Sequence, residues 1–186
     1  MKKRIDIQKS IIYIAFVVLF LVFSITLRDV GSGFASVSNI MNILRQTCLV
    51  AIMAVGMTFV LGAALIDLST GPVVACTSLI CGIFLQEYGL WAGVFAGLLF
   101  GVLAGMLNGF LVAYLKMPPF IATLGTQTVF TGLARTITNL QSVPITDKTF
   151  INVFGGGNIG AVPSVLIWML IIFVLGALLM YKMPFG

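Results

Sequence analysis

Six stretches of predominantly apolar residues, at 11–27, 47–66, 72–86, 90–115, 119–138 and 164–181, alternate with short segments that hold most of the charge and proline. Their lengths suit helices, and no alternating segments of about ten residues repeat as a transmembrane barrel would require. Residues 11–27 carry no charge and exceed a typical signal-peptide core, which predicts a retained first span. Between the first two stretches, Val37, Ile40, Met41 and Leu44 recur at helical spacing opposite Ser38, Asn39, Asn42, Arg45 and Gln46. That pattern predicts a short amphipathic helix at the membrane interface, leading into the second span. Residues 140–163, with Pro144, Asp147, Lys148, Gly155, Gly156, Gly157 and Pro163, predict a long external loop.

Composition turns these helices into membrane spans. Apolar residues make up 60% of the 186 positions and charged residues 8%, against roughly a quarter charged in soluble domains. The expected fold is an all-α, polytopic membrane helical bundle of about six transmembrane spans, in a single transmembrane domain over residues 1–186. The absence of histidine removes imidazole zinc sites, histidine proton relays and Ser-His-Asp hydrolysis. Cys48, Cys76 and Cys81 fall in apolar runs and read as buried, reduced, small apolar side chains. Nothing implies a metal or a cofactor. The net charge of +5 does not imply nucleic acid, because Lys2, Lys3, Arg4 and Lys9 flank the first span. Basic flanks set orientation, and this cluster predicts a cytoplasmic N-terminus.

Asp67 and Glu87 are the charged residues between positions 46 and 115. A carboxylate at mid-bilayer costs about 2.5–3.5 kcal/mol on insertion scales, so Asp67 is a candidate functional residue. It stands in Ile66-Asp67-Leu68-Ser69-Thr70-Gly71-Pro72, where a helix must break. The following fifteen-residue stretch, 72–86, would extend about 22 Å against a core of about 30 Å. One reading is a broken half-helix starting inside the membrane, with Ser69 or Thr70 capping its N-terminus and Pro72 in its first turn. The other is a tight cytoplasmic turn with Asp67 at headgroup level.

Gly93, Gly97, Gly101, Gly105 and Gly109 recur at four-residue spacing and predict a helix-packing seam, with Asn108 beside it as an interhelical hydrogen-bonding group. The same smooth face turned to water would line a pore. After Pro118-Pro119, the polar stripe Thr123, Gln127, Thr131 and Arg135 offers hydroxyl and amide groups that suit a neutral polyol. Threonines also satisfy themselves on the carbonyl one turn back, and Arg135 reads as snorkelling to the outer surface. The substrate-passage candidates are Asp67, Ser69, Thr70, Thr123, Gln127 and Thr131.

Asn42-Ile43-Leu44-Arg45-Gln46, Ala54-Val55-Gly56-Met57-Thr58, Ile66-Asp67-Leu68-Ser69 with Gly71, Phe120-Ile121-Ala122-Thr123-Leu124-Gly125-Thr126 and Gly132-Leu133-Ala134 occur in this order over residues 42–139. Together they resemble the permease subunit of a bacterial ATP-binding-cassette importer for simple sugars, of the ribose and galactose type. The resemblance implies the N-terminal part of a roughly ten-helix permease, truncated at its C-terminus. It implies a multi-pass protein of the bacterial cell (inner) membrane, a second permease subunit in a homo- or heterodimer, cytoplasmic ATPase subunits and an extracytoplasmic sugar-binding protein. Where that family commonly has two glycines before Ile-Asp-Leu-Ser, this chain has Ala64-Leu65, and Pro72 stands where serine is usual. No phosphate-binding loop of the Gly-x4-Gly-Lys-Ser/Thr type occurs, so ATP hydrolysis is expected in a separate subunit. The alternatives are a related permease for branched-chain amino acids, a membrane-embedded transferase, and an inactive or regulatory membrane fragment.

Overall fold

A computed structural model describes residues 7–31, 33–159 and 162–182. The basic residues Lys2, Lys3 and Arg4, on which the orientation chiefly rests, and the end Met183-Pro184-Phe185-Gly186 lie outside the described residues. The elements are α1 (Ile7–Thr26), α2 (Val37–Gly62), α3 (Thr70–Tyr88), α4 (Leu90–Gly109) continued by a π-helical turn (Phe110–Tyr114), α5 (Pro119–Thr138), α6 (Lys148–Phe154), β1 (Asn158–Ile159), β2 (Val162–Pro163) and α7 (Ser164–Lys182). The fold is all-α apart from a pair of two-residue antiparallel strands, with Ile159 opposite Val162. Each predicted stretch forms a helix. By length and composition α2, α3, α4 with its π-helical turn and α7 can each cross a membrane. The apolar part of α1, Ile11–Thr26, is shorter, and α5 is 20 residues long but less apolar.

The chain divides into two units, residues 1–47 and 48–186. In the first, the rings of Phe20 and Phe23 pack on Phe34 with centroids 5.5 and 5.6 Å apart. Ser36 begins α2, its Oγ accepting from the Asn39 N–H at 3.2 Å. The amphipathic segment at 37–46 leads directly into the second span, as the start of the 26-residue α2.

The second unit is organised by α3, α4 and α5. Gly89 alone links α3 to α4, at φ +89°, a left-handed conformation that favours glycine. This one-residue link makes the two helices a tight antiparallel pair. Cys76, Ala104 and Phe130, one from each helix, form the buried core, with Phe100 edge-on to Phe130 at 5.8 Å. The Cys76 thiol also donates to the Phe130 carbonyl at 3.0 Å. All three cysteines are free; Cys48 and Cys76 are buried and Cys81 is half-buried.

The stretch after Pro144 is more structured than a plain loop. Asp147 caps α6 by accepting from the Phe150 N–H at 2.7 Å, and the Phe154 ring stacks on Trp168 of α7 at 5.5 Å. Gln86 at the end of α3 donates to the Pro144 carbonyl at 2.6 Å. The segment is therefore pinned to both α3 and α7.

Candidate functional site

The site begins where α2 ends. Leu65 N–H bonds the Val60 carbonyl at 3.1 Å and Ala64 N–H the Leu61 carbonyl at 2.9 Å, the paired closing bonds of a Schellman motif. Ala64 holds the position after the helix cap at φ +56°, where glycine is usual. The chain turns away from the helix there, and residues 66–68 cross to α3 without helical bonds of their own.

Asp67 organises that crossing. Its Oδ1 accepts from the Ser69 N–H at 2.7 Å and from the Ser69 hydroxyl at 2.6 Å, a local turn closed by a carboxylate. Asp67 is thus an acceptor for the backbone that follows it. The capping expectation for Ser69 is corrected: its side chain makes no cap bond to α3, and its hydroxyl donates to Asp67 instead. Ser69 is fully buried and accepts in turn from Asn108 Nδ2 of α4 at 2.6 Å. Asn108, Ser69 and Asp67 therefore form one hydrogen-bonded string between α4 and the break. Thr70 turns instead toward α2, donating to the Met57 sulfur at 3.3 Å.

The half-helix expectation is also corrected in its length. The helix after the break has 19 residues rather than fifteen, because Thr70 and Gly71 join its start and Glu87 and Tyr88 its end. At 1.5 Å per residue it extends about 28 Å, enough to cross a bilayer core. The break before it is real; the shortness is not.

Thr123 is the one member of the α5 stripe that reaches the break. It is 3% exposed, its Oγ1 accepts from the Leu68 N–H at 3.2 Å, and the same hydroxyl oxygen lies 2.9 Å from the Pro119 carbonyl oxygen and 3.3 Å from that of Ile66, to which it donates. Gln127 and Thr131 lie one and two turns further along α5, about 6 and 12 Å away along the axis. Thr131 bonds the Gln127 carbonyl one turn back at 2.7 Å, as do Thr128, Thr136 and Thr138 on their own carbonyls. The stripe is continuous in sequence, but only its first residue joins Asp67 and Ser69.

The glycine row divides in the same way. A Cβ on Gly93 would stand 2.8 Å from the Cys81 carbonyl oxygen, and one on Gly97 would stand 3.1 Å from Cys81 Cβ. These two are the close seam between α3 and α4. Gly101 is in ordinary contact with Thr77, while at Gly105 and Gly109 an added Cβ meets nothing within 4 Å. Within the described residues the five-glycine row therefore meets a neighbouring helix closely only over its first half. Over its second half the smooth surface borders a cavity of about 320 Å³, whose wall includes Gly101, Gly105, Asp67, Ser69, Thr70 and Asn108. Asn108 was legible only as a hydrogen-bonding residue beside the seam; its reach to Ser69 needs the α4 register relative to the break. Met57, which accepts from Thr70, carries no polar signal in the sequence.

Known proteins place this geometry in a family. The probable ABC transporter permease protein YphD of Escherichia coli is 40% identical over 170 residues, covering 91% of this chain and 50% of that protein. The ribose import permease protein RbsC of Bacillus subtilis is 39% identical over 150 residues, covering 80% and 47%. The xylose transport system permease protein XylH of Escherichia coli is 35% identical over 144 residues, covering 76% and 36%. This chain thus spans half or less of the length of these relatives. No solved structure matches it significantly. Residues 39–186 match the family described as branched-chain amino acid transport system/permease component. With most of its length matched and several helices apolar enough to span a bilayer, the chain is a multi-pass membrane protein that belongs to that permease family.

Proposed function

We propose that this chain provides the membrane passage of an ATP-driven importer for a neutral monosaccharide. Separate cytoplasmic ATPase subunits supply the energy, an extracytoplasmic binding protein delivers the sugar, and a second permease subunit, identical or different, completes the membrane part. The protein resides in the bacterial cell (inner) membrane with its N-terminus in the cytoplasm. Asp67, Ser69, Thr70 and Thr123 border the passage at the helix break, with Gln127 and Thr131 further along α5.

The observation that carries this reading is the chemistry of the cavity wall. Residues bearing a carboxylate, hydroxyls and an amide line one space between helices, with no basic residue among those that line it. Such a wall hydrogen-bonds a polyol but offers no cation for the carboxylate of an amino acid. The names of the relatives, ribose and xylose permeases, support the same choice. The test is reconstitution of the complete permease with its ATPase and binding protein, followed by uptake of labelled ribose, xylose, arabinose and leucine. ATP-dependent uptake of a pentose without leucine is expected. Leucine uptake alone would establish the amino acid reading, and no coupling to ATP hydrolysis would establish a regulatory role.

A further inference from the structure

Two cavities meet at the helix break. The one of about 320 Å³ lies on the α2 side, and a second, of about 240 Å³, is bordered by Leu65, Val112, Pro119 and Thr123. Both are lined by Val60, Asp67, Gly105 and Asn108. The string from Asn108 through Ser69 to Asp67 therefore lies at their shared boundary.

Asn108 is under-satisfied in that position. It is 9% exposed, its Nδ2 is bonded to Ser69, and its Oδ1 is buried without a hydrogen-bond partner among the described residues. A buried acceptor without a donor raises the free energy of the arrangement that contains it. Its surroundings leave room for the side chain to swing: Gly105 and Gly109, one on each side, have open space where a Cβ would stand. The α-helix also gives way to the π-helical turn Phe110–Tyr114 directly after Gly109, a local winding defect common at functional sites.

We propose that Asn108 is a latch between the two cavities, and that a neutral polyol releases it by exchanging hydrogen bonds. The inference rests on the sugar reading given above. In the latched form Nδ2 holds Ser69 and the cavities are separate. A hydroxyl of the polyol replaces Ser69 as acceptor for Nδ2, while another donates to the orphaned Oδ1, and the amide turns aside. Each hydroxyl both donates and accepts, so it substitutes at every member of the string, whereas an aliphatic side chain substitutes at none. The latch is thus also a selectivity element: it opens for hydroxyl-bearing molecules because opening then loses no hydrogen bond.

The test separates the latch from ATP-driven import. The complete permease, reconstituted in liposomes without ATPase, is assayed for leak of labelled xylitol, a neutral five-carbon polyol, and of leucine. Ser69→Ala and Asn108→Ala both remove the Asn108–Ser69 hydrogen bond, the former also the bond from the Ser69 hydroxyl to Asp67, and each should raise xylitol leak roughly three- to tenfold over the unaltered protein. Asn108→Leu, which keeps bulk without polar atoms, should not leak. Xylitol leak at the unaltered rate in both alanine variants, or leucine leaking as fast as xylitol, would overturn the proposal. Should the alanine variants fail to fold, Gly105→Leu decides, because its site is open and borders both cavities. Loss of ATP-driven import at unchanged unfolding temperature is expected for it, and normal import would overturn the proposal. Failure of the unaltered complex to import any sugar would defeat the sugar reading instead, while the leak assay would still report on the latch.

Discussion

The backbone N–H of Leu68 donates to Oγ1 of Thr123 at 3.2 Å, across 55 residues of chain. One hydroxyl on α5 thereby fixes a segment, residues 66–68, that has no helical bonds of its own. An isolated break would leave several backbone groups unsatisfied in a membrane, at a cost of several kcal/mol each. Asp67 supplies one partner locally and Thr123 another from a distance.

Thr123→Val keeps the shape of the side chain and removes the hydroxyl. Interhelical hydrogen bonds in membranes contribute about 0.6–1.7 kcal/mol, and a loss of that size should appear as a lower unfolding temperature in detergent. Thr123→Ser should restore most of it. Equal stability of the valine and serine variants would show that the break does not depend on α5.

Asp67→Asn retains an oxygen for the two Ser69 donors, whereas Asp67→Ala leaves both unpaired at a cost of about 1–3 kcal/mol. Import by the complete permease should fall further for alanine than for asparagine, with both variants still inserted in the membrane. Unaltered import by both would make Asp67 an ordinary turn residue.

Gly93 and Gly105 should respond to alanine with opposite signs. At Gly93 the new methyl would press on the Cys81 carbonyl and on Leu85 at 2.8 Å, and such overpacking costs about 1–3 kcal/mol. At Gly105 the space is open, so the helix gains about 0.5–1 kcal/mol from replacing glycine. Thermal unfolding of the two variants, measured side by side, checks the division of the row; equal destabilisation by both would restore a uniform seam.

Ala64→Gly should stabilise the protein. Ala64 sits at φ +56° in the Schellman turn, where a side chain costs about 1–2 kcal/mol and glycine does not. After the extra chain entropy of glycine, a net gain of about 0.5–1 kcal/mol is expected, read as a higher unfolding temperature. A loss of stability would mean that the turn is held by contacts rather than by its local conformation.

The fold class, the position of every long helix and the break at Asp67 were legible in the sequence because each depends on neighbours along the chain. Apolar runs without charge can only be satisfied as helices in lipid, and Pro72, tolerated only in a first turn, marks a helix start close behind Asp67. Residues 37–46 read as an interfacial helix leading into the second span because their polar face is real, and helical bonding continues through them in α2. The fifteen-residue estimate for α3 failed at both ends of the helix. Thr70, Gly71, Glu87 and Tyr88 look like boundary residues in composition, yet the backbone takes them into the helix.

The sequence by itself determined that this is an all-helical membrane protein with a polar break, since burial in lipid leaves the backbone no other way to satisfy its hydrogen bonds. Only the tertiary structure decided which parts of each periodic row matter. The glycine and threonine rows repeat regularly along α4 and α5, but a neighbouring helix crosses such a row at an angle and contacts part of it. Gly93 and Gly97 pack on α3, Gly105 opens on the cavities, and Thr123 alone of its stripe grips the break. Those crossings also brought Asn108 to Ser69 over 39 residues of chain, a meeting that no local pattern encodes.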